Sequence, residues 1–183
     1  MPRELGAPWH AFLADLDALV THAVHLHCCG GFVVTTQHGL ARTTADLDVV
    51  SILPAREQPA LSRFGGRGSA LHRKHRVYLD IVSVATSPDD YESRLEEIQP
   101  GGFAHLRVWA LEPHDLVLTK LTRNSDRDRA DVEYLATAVP LEPVRLRERY
   151  RRELRPYVGV PEREDLTLDL WIEIIEEAQA RKH

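Results

Sequence analysis

Residues 30–50 read GGFVVTTQHGLARTTADLDVV, and this stretch decides the fold. Asp46-Leu47-Asp48 opens an apolar, β-branched run that stops at Pro54, which predicts a strand over 47–53. Side chains alternate along a strand, so both carboxylates project to the same side. Two carboxylates held together repel, and a hard divalent cation relieves that cost. Mg²⁺ (or Mn²⁺, which takes the same donors) favours one or two carboxylates completed by substrate phosphates. Upstream, Gly30-Gly31 predicts a sharp turn, or a place where the backbone comes close to a ligand and its N–H groups reach phosphates. For 32–37 the pattern leaves helix and strand both open.

Moving outward, apolar residues at three- and four-residue spacing from Trp9 to Val24 predict an amphipathic helix over 8–25. Between 58 and 79 stand Arg63, Arg67, Arg73, Lys74 and Arg76 with His72 and His75 and no acid, which reads as a basic, glycine-containing loop. RVYLDIVSV, 76–84, predicts a second strand. Val77, Leu79, Ile81 and Ser83 take one face, while Tyr78, Asp80, Val82 and Val84 take the other. A third acid, Asp80, is thereby set on a neighbouring strand on a largely apolar face, where it would complete a two-metal site for in-line displacement at phosphorus. A further strand is predicted over 104–111. Helices follow in PHDLVLTKLTRN and DRADVEYLATAV, the first starting near His114 or Asp115. A solvated helix with six arginines and three glutamates spans 141–157, and a last amphipathic helix covers 166–181, with Leu168, Trp171, Ile174, Ile175 and Ala178 on its dry side.

The 183 residues suit about one domain's length, with 43% hydrophobic and 28% charged residues, and this excludes fibrous and disordered classes. The net charge of −5 argues against a nucleic-acid coat over the whole surface. Polyanions would instead meet local patches: the basic segment 63–76, or the arginines of 145–155 as a second RNA surface. The segment 63–76 lies between the two acid-bearing strands and is expected to project near them, there to contact an RNA backbone or nucleotide phosphates. Of the 23 basic residues only Lys74, Lys120 and Lys182 are lysines. Cys28 and Cys29 are adjacent and cannot staple a domain, which points to a reducing cytoplasm. His22, His25 and His27 lack the spacing of a helical zinc motif, and a short buried strand with small thiols accounts better for the stretch. No apolar run reaches the roughly 18–20 residues of a membrane span, and the first twenty residues lack a signal-peptide pattern. A core over 1–112 and a helical region over 113–183, packed as one unit, is the expected division.

With these residues in order, the sequence resembles nucleotidyltransferase-like proteins of the AbiEii and DUF6036 type, in the polymerase-β-like superfamily, over roughly 24–136. Their opening pattern is a Gly-Gly turn, an Arg-x-Thr segment and an Asp-x-Asp pair, matched by Gly30, Gly31, Arg42, Thr44, Asp46 and Asp48. Their second signature, a Lys-Leu followed by an arginine and two spaced aspartates, is matched by Lys120, Leu121, Arg123, Asp128 and Asp131. The resemblance implies an α/β (α+β) fold, a mixed sheet with flanking helices and a helical C-terminal part. It also implies nucleotide transfer from an NTP, often onto tRNA in toxin–antitoxin members. In that reading Asp46, Asp48 and Asp80 bind Mg²⁺ or Mn²⁺, and Lys120 joins them in catalysis. Gly30, Gly31, Arg42, Thr44, Asp128 and Asp131 bind the nucleotide. The partners implied are an NTP, a tRNA or protein acceptor and a cognate antitoxin. Gly31 departs from the Gly-Ser turn of many nucleotidyltransferases, whose serine touches the triphosphate.

Plainer readings stand beside these. Arg42 pairs with Asp46 or Asp48, or else contacts phosphate; Lys120 is a solvated helical charge; Asp128 and Asp131 pair with Arg127 or Arg129. The rival for the whole chain is a non-catalytic binding module of the same fold, an antitoxin or adaptor.

Overall fold

The computed structural model describes residues 4–82 and 86–182. Contacts divide the chain into two units, Met1–Ser83 with Leu95–Leu111, and Val84–Arg94 with Glu112–His183.

The first unit begins with α1 (Trp9–Asp17), shorter than its apolar periodicity predicts. The carboxylate of Asp17 accepts hydrogen bonds from the backbone N–H groups of Ala104 (3.0 Å), His105 (2.8 Å) and Leu106 (2.6 Å). Burial alone would push this carboxyl up, but the three donors outweigh it and hold it below the ordinary aspartate range. Past this anchor the apolar residues Val24 and Leu26 alternate in β1 (Val24–Cys28) instead of continuing a helical stripe. Then come α2 (Gly30–Thr36), which settles 32–37 as helix, and β2 (Asp46–Leu53).

The basic segment is mostly helix, not loop: α3 (Gln58–Gly65) and α4 (Ala70–His75) occupy it. Pro59 fits the first turn of α3, where no N–H is required, and Leu61 and Leu71 are buried. Ser69 caps α4 by accepting from the His72 N–H at 3.0 Å. Next stands β3 (Tyr78–Ile81); the predicted extension through Ser83 and Val84 lies outside the described residues. A strand that the pattern does not announce, β4 (Glu96–Ile98), pairs antiparallel with β5 (Leu106–Ala110).

Among the described residues these strands make a five-stranded mixed sheet in the order β3-β2-β1-β5-β4. β2 is antiparallel to β1 and parallel to β3, and β1 is parallel to β5. Phe12, Leu16, Leu26, Phe32, Leu47 and Leu106 form its dry interior. The mixed α/β class expected from the sequence is what the chain adopts.

The second unit is helical: α5 (Pro113–Thr119), α6 (Asp126–Ala138), α7 (Pro143–Arg149) and α8 (Pro161–Lys182). α5 starts at Pro113, close to the start expected near His114 or Asp115, and Glu112 caps it by accepting from the His114 N–H at 3.1 Å. The arginine-rich stretch is less solvated than predicted. α7 runs on through a π-type turn, Tyr150–Leu154, and Leu146, Tyr150 and Leu154 are buried. On α8, Leu168, Trp171, Ile175 and Ala178 are buried as expected, whereas Ile174 is only half-buried. Among the described residues no helix is long and apolar enough to cross a membrane.

Candidate active site

In the first unit the register of β2 against β3 sets Asp48 opposite Asp80 and Asp46 opposite Tyr78. Registered residues on adjacent strands share a face, and so do residues two apart on one strand. Asp46, Asp48, Tyr78 and Asp80 therefore line one face at the sheet's edge. Asp46 and Asp48 are half-buried, and Asp80 is exposed rather than enclosed among apolar neighbours. The Thr44 hydroxyl donates to Asp46 Oδ1 at 2.6 Å, fixing one carboxylate from the preceding turn.

Gly30 and Gly31 sit against this face. Gly30 has φ +67°, and a Cβ there would lie 1.8 Å from Asp48 Oδ2, so only glycine lets that carboxylate pack where it does. A Cβ on Gly31 would stand 2.9 Å from Arg42 Nη2 and 3.3 Å from Thr44 Oγ1. The space that a side chain at position 31 would take is thus bordered by the Arg42 guanidinium and the Thr44 hydroxyl. Arg42 and Thr44 also line an open cleft of ≈ 540 Å³, together with Glu4, Trp9 and Thr36. Ligand clefts commonly measure about 300–1,000 Å³.

Among the described residues no three His, Cys, Asp or Glu side chains are gathered closely enough to hold a metal ion as they stand. The donor chemistry of the acid face nonetheless fits a hard cation, because it offers carboxylate oxygens from two adjacent strands and leaves room for phosphate oxygens. The histidines of 22–27 are otherwise engaged: His22 pairs with Glu57 at 3.0 Å, and Trp109 Nε1–H donates to His25 Nδ1 at 3.0 Å. Cys28 is buried in β1, and burial pushes its thiol well up.

The second signature gathers in the other unit. Lys120 Nζ donates to Asp131 Oδ2 at 2.8 Å and to Asp128 Oδ1 at 3.4 Å. Arg123 makes a two-pronged contact with Asp128, at 2.7 and 2.5 Å, and the Ser125 hydroxyl adds a bond at 2.6 Å. Ser125 and Asp128 also form a reciprocal capping box at the start of α6. Burial alone would raise the Asp128 carboxyl, but Arg123, Ser125 and the Lys120 charge hold it well below the usual range. Lys120 is 3% exposed, Asp128 0% and Asp131 1%, so the cluster is interior. The partners of Asp128 are Arg123 and Lys120; Arg129 goes instead to Asp126 and Asn124.

A family model described as "Nucleotidyltransferase of unknown function (DUF6036)" matches residues 12–177. The chain belongs to this family. No curated protein and no solved structure matches it. For a DUF6036 protein the two signatures now have distinct surroundings, one half-open on a sheet edge and one buried among helices. Within the basic segment expected to project near the acid-bearing strands, Arg67 meets the acid face, donating from Nη2 to Tyr78 Oη at 2.6 Å. The signal available for it was the Gly-Arg-Gly at 66–68, two glycines flanking a lone cation.

Proposed function

We propose that this DUF6036 protein is a Mg²⁺- or Mn²⁺-dependent enzyme that moves a nucleotide from an NTP onto a tRNA or protein acceptor, as a cytoplasmic toxin held by a cognate antitoxin. The observation that carries the reading is the parallel register of β2 and β3, which puts Asp48 opposite Asp80 on the face that Asp46 shares. Asp46, Asp48 and Asp80 would hold the cation, which when bound supplies charge neutralisation to the phosphates.

The protein's own residues do the rest by positioning and electrostatics. Arg42 and Thr44, at the rim of the cleft, bind phosphate oxygens, and Gly30 and Gly31 keep the approach clear of side chains. An acceptor hydroxyl oxygen forms a bond to the α-phosphorus while the bond to the pyrophosphate oxygen breaks, its electron pair leaving with pyrophosphate. Asp80, exposed at the edge, takes the hydroxyl proton. Lys120, Asp128 and Asp131 have their charges already matched to one another in the interior of the helical unit. Cys28 and Cys29 are buried and form no disulfide, which suits a reducing compartment.

The test incubates the protein and Mg²⁺ or Mn²⁺ with each α-labelled NTP, total RNA and cell lysate. Label should pass to one acceptor class and be lost in Asp46→Asn and Asp48→Asn, with the circular dichroism unchanged. Transfer at the wild-type rate by either variant sinks the assignment. A wild-type protein that neither transfers label nor binds any NTP is instead the non-catalytic module, an antitoxin or adaptor.

A further inference from the structure

Between α3 and α4 the chain passes through Gly66-Arg67-Gly68 alongside β3, and its backbone there is tied on every side. Gly66 forms a parallel bridge with Leu79. The Gly66 N–H donates to Ser62 O at 2.8 Å, and the Ser69 N–H donates to Gly66 O at 3.0 Å. The Gly68 N–H donates to His72 Nδ1 at 2.9 Å, and the Arg73 guanidinium donates to Gly68 O at 2.6 Å. Both glycines are required. A Cβ on Gly66 would sit 2.2 Å from Ser62 O, and Gly68 has φ +83°.

The turn therefore presents the intervening side chain in one place. Arg67 lies with its guanidinium carbon 4.8 Å from the centroid of the Tyr78 ring while it bonds to the Tyr78 hydroxyl. His72 packs against the same ring, edge to face, at 5.0 Å. Tyr78 is opposite Asp46 and two residues from Asp80, so the anchor of Arg67 belongs to the acid face. The Tyr78 hydrogen bond first, and then the nearby charges of Asp80 and Asp46, raise the Arg67 pKa further. The Tyr78 hydroxyl is the tether of a cation whose field includes Asp80 and Asp46. It holds the guanidinium in place with one of its five N–H donors and without neutralising its charge.

Resting on the proposed nucleotidyl transfer, we infer that Arg67, positioned by Tyr78, binds the phosphate groups of the incoming NTP from the β3 side of the site. A planar guanidinium matches two phosphate oxygens at once, and a tethered one loses less freedom on binding than a lone surface arginine. The family signatures do not contain this residue. It faces the acids from a segment that lies in sequence between the two acid-bearing strands.

The measurement is equilibrium binding of ATP, GTP, CTP and UTP with Mn²⁺, of pyrophosphate, and of the matching nucleosides. The proteins compared are wild type, Arg67→Ala, Arg67→Lys and Tyr78→Phe. Arg67→Ala should weaken the preferred NTP and pyrophosphate by about tenfold, as expected for losing a hydrogen bond to a charged group, and leave the nucleoside unchanged. Arg67→Lys should restore part of the loss, and Tyr78→Phe, which keeps the cation but frees it, should fall between wild type and Arg67→Ala. Unchanged NTP and pyrophosphate affinity in Arg67→Ala overturns the inference and leaves the nucleotidyl-transfer reading standing. A wild-type protein that binds none of the four NTPs ends both.

Discussion

Two groups of carboxylates carry the family's signatures, and they are built in opposite ways. On the edge of the sheet, Asp46 and Asp48 are half-buried and Asp80 is exposed, three acids brought together by strand register. In the helical unit, Asp128 and Asp131 are buried and bonded to Lys120, with Arg123 and Ser125 closing the shell around Asp128. Like charges set side by side cost stability, which a fold retains where a ligand offsets the cost. Buried charges matched by partners carry their desolvation cost already offset in large part, and removing one partner leaves an uncompensated charge that is strongly destabilising. The first arrangement leaves its carboxylates open to a ligand, as the proposed function requires; the second has its charges matched within the interior. Similar motif letters thus serve different physics.

The largest effect should come from breaking the buried cluster. Lys120→Met would leave Asp128 and Asp131 without the ammonium, and uncompensated buried charge typically costs about 3–5 kcal/mol. Its urea midpoint should drop sharply, whereas Asp46→Asn, at a half-open position, should stay within about 0.5 kcal/mol of wild type. The reverse result, a stable Lys120→Met protein that no longer binds NTP, would make Lys120 a ligand contact and break the contrast.

Acid should test the matched charges of the helical unit. Burial alone would raise the Glu112 carboxyl, but the hydrogen bonds of His114 (2.6 Å) and Arg149 hold it down at about 2. A carboxyl lowered on folding contributes stability that is complete above its unfolded value, near 4.3, and is lost as pH falls through the folded one. Asp128 shifts in the same direction. Stability should therefore be flat from neutrality to about pH 5 and decline toward pH 2. Glu112→Gln should lower stability at pH 7 by about 1–3 kcal/mol and reduce the acid decline. An unchanged decline would show that Glu112 contributes little to it.

A smaller effect is expected at the turn below the acids. Gly30→Ala forces a side chain into φ +67°, costing about 1–2 kcal/mol, and drives its Cβ into Asp48. Cation and nucleotide binding should fall well beyond what that destabilisation explains. A variant that binds Mn²⁺ and NTP as wild type does would mean that Asp48 can move without consequence.

How much of this is legible in sequence depends on how far each signal reaches. Asp-x-Asp before a β-branched run is a local pattern, and β2 follows it closely. The pairing of Asp48 with Asp80 needed only two strand assignments and parallel register. By contrast, the helix predicted over 8–25 overshoots because periodicity cannot see Asp17 capping backbone 87–89 residues away. β4 is three residues with two glutamates, held by its pairing with β5 rather than by its own propensity. Tertiary contacts set both outcomes. The basic segment 63–76 was legible as lying near the acids, but which of its cations meets them was not, because the contact of Arg67 with the Tyr78 ring depends on a tertiary packing that composition does not record.

The smallest predicted change has the most telling sign. Asp80 is exposed and stands opposite Asp48 across the strand pair, so without a divalent cation the two negative charges destabilise the sheet edge. Asp80→Asn should then leave the cation-free protein as stable as wild type or more stable by about 0.2–1 kcal/mol. Saturating Mn²⁺ should reverse the order, because ligand that binds only the folded state stabilises it by mass action and the variant has lost one donor. Melting curves of both proteins, with Mn²⁺ and with chelator, read this as a crossover. Curves that keep the same order in both conditions would mean that the three acids do not act together on a cation, and the difference between sheet edge and buried cluster would reduce to exposure alone.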